Sequence, residues 1–158
     1  MTVSYTFPSG GDFYVYADVK PRGKESETVR SMLKVKGEPA SPTSLISTVP
    51  GTVKGDGWNA NVSVTPDRVG ESTVRFDFTT VDDKPLSDLQ PYLGAMGHLV
   101  VANTKDGDYA HAHPDEKVST IGEVRFMVHF PKPGTYKGWG QFQRGGKVFN
   151  VPFVVQVK

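Results

Sequence analysis

The sequence predicts an all-β protein: an antiparallel β-sandwich preceded by a separate N-terminal hairpin. Three observations point there. No long segment keeps a helical apolar period, whereas β-rich runs of 5–9 residues recur between turn residues. Gly (17) and Pro (12) punctuate those runs along the whole chain. The last run, Lys147–Val157, alternates so that Val151, Phe153, Val155 and Val157 share one face.

Taken in order, Phe13–Val19 and Thr28–Lys36 are the first expected strands, filled with aromatic and β-branched residues. Segment 37–57, rich in Gly, Pro, Ser and Thr, reads as a linker. Asn59–Thr65 and Ser72–Thr80 follow, and Asp82 to Pro91 reads as a long connection crossing between sheets. Gly97–Asn103 and Tyr109–His113 form a hairpin; Gly122–Phe130, Thr135–Gln143 and Lys147–Val157 complete the sandwich. Pro152 has no N–H to donate, so the last strand is expected at an edge or with a bulge there. Trp58, Trp139 and the Tyr and Phe residues are expected in the core.

An internal repeat divides the chain. Phe7-Pro8-Ser9-Gly10-Gly11-Asp12-Phe13 aligns without gaps on Phe130-Pro131-Lys132-Pro133-Gly134-Thr135-Tyr136. The match continues with Tyr16 on Trp139 and Val19 on Phe142. One residue shifted, it resumes with Val29, Leu33 and Val35 on Val151, Val155 and Val157. Each copy is a turn ending in Gly, an aromatic strand, a polar turn and an alternating strand. The second copy closes a sandwich over about 52–158, and the first reads as the end of another. We therefore expect a partial repeat plus linker over 1–48 and a complete sandwich over 49–158. A lone hairpin is marginal, so residues 1–36 are expected to pack on the main domain or on a second chain as a homodimer.

Composition narrows the function. Apolar residues (37%) suffice for a core, and no apolar run approaches the roughly 18 residues a membrane span needs. No basic and apolar leader opens the chain. Lys plus Arg (18) balances Asp plus Glu (17) with no basic stretch, which argues against nucleic acid or anionic lipid. The absence of Cys removes disulfides, thiolate zinc sites, iron–sulfur clusters and cysteine nucleophiles. No G-x-S-x-G motif occurs, Arg144-Gly145-Gly146-Lys147 reads as a hairpin turn, and Asp106-Gly107-Asp108 as a tight turn with too few carboxylates for calcium.

The histidines carry the chemistry. All four lie between positions 98 and 129, three of them in one expected hairpin. His111 and His113, two apart on a strand, share a face. A Thr104–Gly107 loop makes paired residue numbers sum to 211, and an Asp106–Gly107 turn makes them sum to 213. Either odd sum keeps His98 on the face of His111 and His113; a three-residue loop or a bulge would separate them. Met96 joins that face if its strand extends so far, and His129 is a candidate fourth or supporting ligand. Imidazole with thioether suits copper, while three imidazoles and a water suit zinc. A zinc hydrolase using Asp115, Glu116 or Glu123 as base is the least favoured reading, because no convergent acid–base set accompanies the cluster. Binding without catalysis is expected.

Three blocks together resemble a known group: Leu89-Gln90-Pro91-Tyr92-Leu93-Gly94-Ala95-Met96-Gly97-His98, then His111-Ala112-His113-Pro114, then Phe130-Pro131-Lys132-Pro133-Gly134-Thr135-Tyr136 with Trp139-Gly140-Gln141-Phe142-Gln143. Over about 60–158 the chain resembles bacterial envelope β-sandwich proteins, the YtkA-like or cupredoxin-like modules found alongside copper-transporting ATPases. The resemblance implies an immunoglobulin-like or cupredoxin-like fold, a periplasmic or secreted location and a role in copper handling or tolerance. It also implies a metal-transporting ATPase or another envelope copper protein as partner. A metal-free structural or protein-interaction module is the alternative.

Overall fold

The computed structural model describes residues 4–19, 22–23, 27–41, 46–68, 71–112, 114–115 and 120–158. Within these, the side chains of Asp18, Glu27, Arg68, Ala110 and His111 lie outside the description. The chain forms two compact units, Met1–Ser44 and Leu45–Lys158. The second unit starts ahead of the expected position 49, because Ser47 and Thr48 already bond the last strand. The Thr48 N–H donates to the Val154 carbonyl over 2.9 Å, and the Val154 N–H donates to Thr48 Oγ1 over 2.8 Å.

The first unit is one hairpin, β1 (Gly11–Val19) and β2 (Glu27–Val35), paired antiparallel from Gly11↔Val35 to Val19↔Glu27. Its alternation sets Phe13, Val15, Ala17, Val19, Val29, Ser31, Leu33 and Val35 on one face.

The second unit is an all-β sandwich of two antiparallel sheets. One sheet runs β3 (Gly51–Gly55), β4 (Trp58–Arg68), β5 (Glu71–Thr79), β9 (Glu123–His129). The other runs β11 (Lys147–Val157), β10 (Gly134–Arg144), β7 (His98–Asn103), β8 (Tyr109–Ala112), with the short β6 (Leu89–Gln90) pairing β10 near its end. β11 is an edge strand, as Pro152 requires. Two expectations are corrected. Residues 51–55, assigned to the linker, form edge strand β3, and Leu89–Gln90 adds a strand within the supposed connection.

Alternation builds the core. Val74, Phe76 and Phe78 of β5 meet Tyr136 and Phe142 of β10 and Val151, Phe153 and Val155 of β11, all buried. Phe76 is the hub, with ring centroids 5.0–5.9 Å from Phe142, Phe126 and Phe153 in edge-to-face contacts. Trp58 joins this core, but Trp139 does not. Inward residues of β10 are even-numbered, so Trp139 stands on the outer face, with Lys137 Nζ 5.2 Å from its ring centroid.

On the outer face of the first sheet, β5 and β9 set Arg75 opposite Arg125 and Asp77 opposite Glu123. Like charges directly opposite are unfavourable. Here the other contacts cancel them: Arg75 Nη2 lies 2.6 Å from Asp77 and 3.1 Å from the buried Glu123, which also pairs with Arg125.

Candidate metal centre on the β7–β8 hairpin

β7 starts at His98 because Gly97 lets the chain press onto β10. A Cβ at position 97 would fall 2.7 Å from the Phe142 ring and 3.2 Å from the Gln141 carbonyl. From there Leu99, Val101 and Asn103 turn inward and are buried, while His98, Val100 and Ala102 face outward, half-exposed.

The β7–β8 ladder pairs Leu99↔Ala112, Val100↔His111, Val101↔Ala110 and Ala102↔Tyr109. Every pair sums to 211, the register associated with the Thr104–Gly107 loop. An odd sum gives positions 98, 100 and 111 the same pleat parity. The ladder to β7 is described as far as Ala112; beyond it Pro114 pairs with Phe126 of the other sheet. His113 lies outside the described residues, as does the His111 side chain.

A charge clamp fixes this loop. Lys132 Nζ lies 2.5 Å from Asp106 Oδ2 and 2.6 Å from Asp108 Oδ2, tying the loop to the turn before β10. Gly107 (φ +68°) closes the turn by donating its N–H to the Asn103 carbonyl. The hydrogen bond from Lys132 holds the Asp106 carboxyl below its ordinary pKa, and the hydrogen bonds it donates to both aspartates raise Lys132 above its own. The ammonium therefore sits against both carboxylates of the Asp-Gly-Asp turn.

The His98 ring is oriented from outside its strand. Tyr92-Leu93-Gly94-Ala95 forms a two-residue turn with positive φ at Leu93 (49°) and Gly94 (85°), closed by Tyr92 and Ala95 bonding each other's backbone. This turn presents the Tyr92 carbonyl 2.9 Å from His98 Nε2. A carbonyl only accepts, so Nε2 carries the proton, and in the neutral ring Nδ1 holds the lone pair. The Tyr92 ring packs edge-on at 5.8 Å. A carbonyl that orients an imidazole and sets its tautomer is the usual companion of a metal-ligating histidine. Gln141 pairs with His98 across to β10, and Trp139 pairs with Val100, so an amide and an indole border the patch.

The other two candidates lie outside this strand pair. Met96 sits on a bend two residues before His98, outside β7, so the same-face rule does not apply. Met96 is half-buried and lines a cleft of about 500 Å³ with Leu86, Leu89, Ile121 and Val124. His129 ends β9 opposite Glu71, exposed on the outer face of the other sheet. The sandwich lies between it and His98. Glu123, weighed as a base, is held by Arg75 and Arg125. Among the described residues, no group of three His, Asp or Glu side chains gathers around one point. Sequence reasoning missed the Tyr92 carbonyl, because Leu occupies a turn position where Asn or Gly is the usual signal.

Residues 52–158 match the model of a family described as a domain of unknown function (DUF8832). No curated protein and no solved structure matches the chain.

Proposed function

We propose a function for this chain, which belongs to the DUF8832 family, from the geometry of its own hairpin: it binds a metal ion outside the cytoplasm and takes part in copper handling or tolerance. The observation that carries the reading is the odd β7–β8 register, which puts position 111 on the pleat parity of a His98 ring whose Nε2 is already committed to Tyr92. His98, His111 and His113 are the proposed ligands. Met96 and His129 are the further possible ligands; the nitrogen donors suit copper and zinc alike, and a thioether beside them would favour copper. Copper is preferred over zinc on the resemblance to envelope copper modules, which also supplies the location and a metal-transporting ATPase or other envelope copper protein as partner. The role proposed is binding, not turnover.

The test is calorimetric titration of metal-free protein with Cu(I), Cu(II) and Zn(II), comparing wild type with His111→Ala and His113→Ala. One tight equivalent, lost in both variants, is expected. Equal weak binding in all three proteins would overturn the reading. It would favour a metal-free interaction module instead, for which the exposed apolar residues of the β1–β2 hairpin are the supporting observation.

A further inference from the structure

The outer face of the β11-β10-β7-β8 sheet carries chemistry that the candidate metal site does not use. β10 lies between β11 and β7, and the ladders set Val100, Trp139 and Pro152 side by side across those three strands. Lys137 and Gln141 stand one same-face step along β10 on either side of Trp139, and Asn150 of β11 is opposite Gln141. Trp139, Lys137 and Gln141 are half-buried, and Pro152 and Asn150 are exposed. Alternation ordinarily leaves polar side chains on an outer face, so an indole at its centre is the exception.

Charge and hydrogen-bonding capacity narrow what that indole can meet. The described outward positions of this sheet hold no Asp or Glu. Lys137 makes no ion pair among the described residues, and its Nζ rests 5.2 Å from the Trp139 ring centroid. Gln141 Nε2 donates to Asn150 Oδ1 over 3.3 Å, which leaves the Gln141 side-chain carbonyl to accept and the Asn150 amide to donate. Size narrows it further. The apolar strip spans two strand spacings of ~4.8 Å by one same-face step of ~7 Å, on the order of 100 Å². A specific protein interface covers about 800 Å² on each side, so this strip is the size of a small ring instead.

We propose that this face is a binding platform for an acidic polysaccharide, with a hexuronate ring stacked on Trp139. A sugar ring is apolar on the face that carries its axial C–H groups, and those groups suit the electron-rich face of an indole. Its rim of hydroxyls needs groups that both donate and accept, which the Gln141 and Asn150 amides supply. Its carboxylate meets Lys137, whose ammonium already waits beside the ring and exchanges the indole for the opposite charge. Val100 and Pro152 extend the apolar floor under the neighbouring rings of the chain. A neutral sugar would leave Lys137 without an anion, so the acidic one is selected.

The experiment titrates the full chain, in the presence of a chelator, with tetramers of galacturonate and mannuronate while tryptophan emission is followed. Trp58 is buried in the core, so it reports folding and Trp139 reports the ligand. At least one acidic tetramer should bind and change the emission, and Trp139→Ala should abolish the binding. Lys137→Met should weaken it at least about tenfold, the loss of one hydrogen bond to a charged group. Gln141→Ala, which keeps both tryptophans, should weaken it by a smaller factor. Tetraglucose, which has the rings without the charge, and tetraglutamate, which has the charge without the rings, should both bind more weakly. No binding of either acidic sugar, undiminished binding by Trp139→Ala or Lys137→Met, or equal binding of either control would overturn the proposal. No metal is present, so the outcome is separate from that of the copper reading.

Discussion

His98 donates its Nε2 proton to the carbonyl of Tyr92 across 2.9 Å, which leaves Nδ1 as the ring nitrogen without that partner. The expected consequence is tautomeric. In the metal-free protein at pH 8, long-range nitrogen–proton correlation should show His98 protonated at Nε2 and bare at Nδ1. The opposite tautomer would show that Tyr92 does not orient the ring.

Trp139 supplies an optical probe. It pairs with Val100, which pairs with position 111, so the indole stands within roughly 10 Å of that position by strand spacing. Copper(II) at one equivalent should quench tryptophan fluorescence, and Trp139→Phe should remove most of the quenching, since Trp58 lies in the core. Undiminished quenching in Trp139→Phe would place the ion elsewhere.

The Lys132 clamp makes the loop pH-dependent at both ends. Asp106 has a depressed folded pKa, so its contribution is complete above the unfolded value of about 3.9 and fades as pH falls through the folded one. Lys132 has a raised folded pKa, so its contribution is complete below about 10.4 and fades as pH rises through the folded value. Amide exchange at Gly107 and Asp108, corrected for its intrinsic rate, should therefore be flat from about pH 5 to 9 and accelerate in acid. Lys132→Met should abolish the acid dependence.

Gly97→Ala tests how β7 is seated. Its Cβ would meet the fully buried Phe142 ring at 2.7 Å, and that ring is locked among Phe76, Phe78 and Phe149. A cost of about 1–3 kcal/mol is expected from denaturant unfolding. Phe76→Ala, which removes the hub of the aromatic core, should cost about 3–5 kcal/mol.

Much of the fold was legible because alternation and proline carry their meaning locally. The inward face of β11 follows from the spacing of Val151, Phe153 and Val155, and its edge position from Pro152. β3 was not legible: five residues with half-buried Val53 as their packed side chain are hidden by Gly, Pro, Ser and Thr around them. Trp139 was misplaced because size suggested the core, although its odd number against inward Tyr136 and Phe142 already argued otherwise. At the candidate site, the odd parity was legible because both loop lengths considered share it, whereas the choice of 211 over 213 was not. The placements of Met96 and His129 did not follow, because they depend on where a strand begins and which sheet it joins, and both are settled by packing distant in sequence.

The most direct test is electron spin-echo spectroscopy of the one-to-one copper(II) complex, which counts coordinated imidazoles. More than one is expected in wild type, one fewer in His98→Ala, and no change in His129→Ala. An imidazole count that is the same in His98→Ala as in wild type would contradict a metal site on this hairpin.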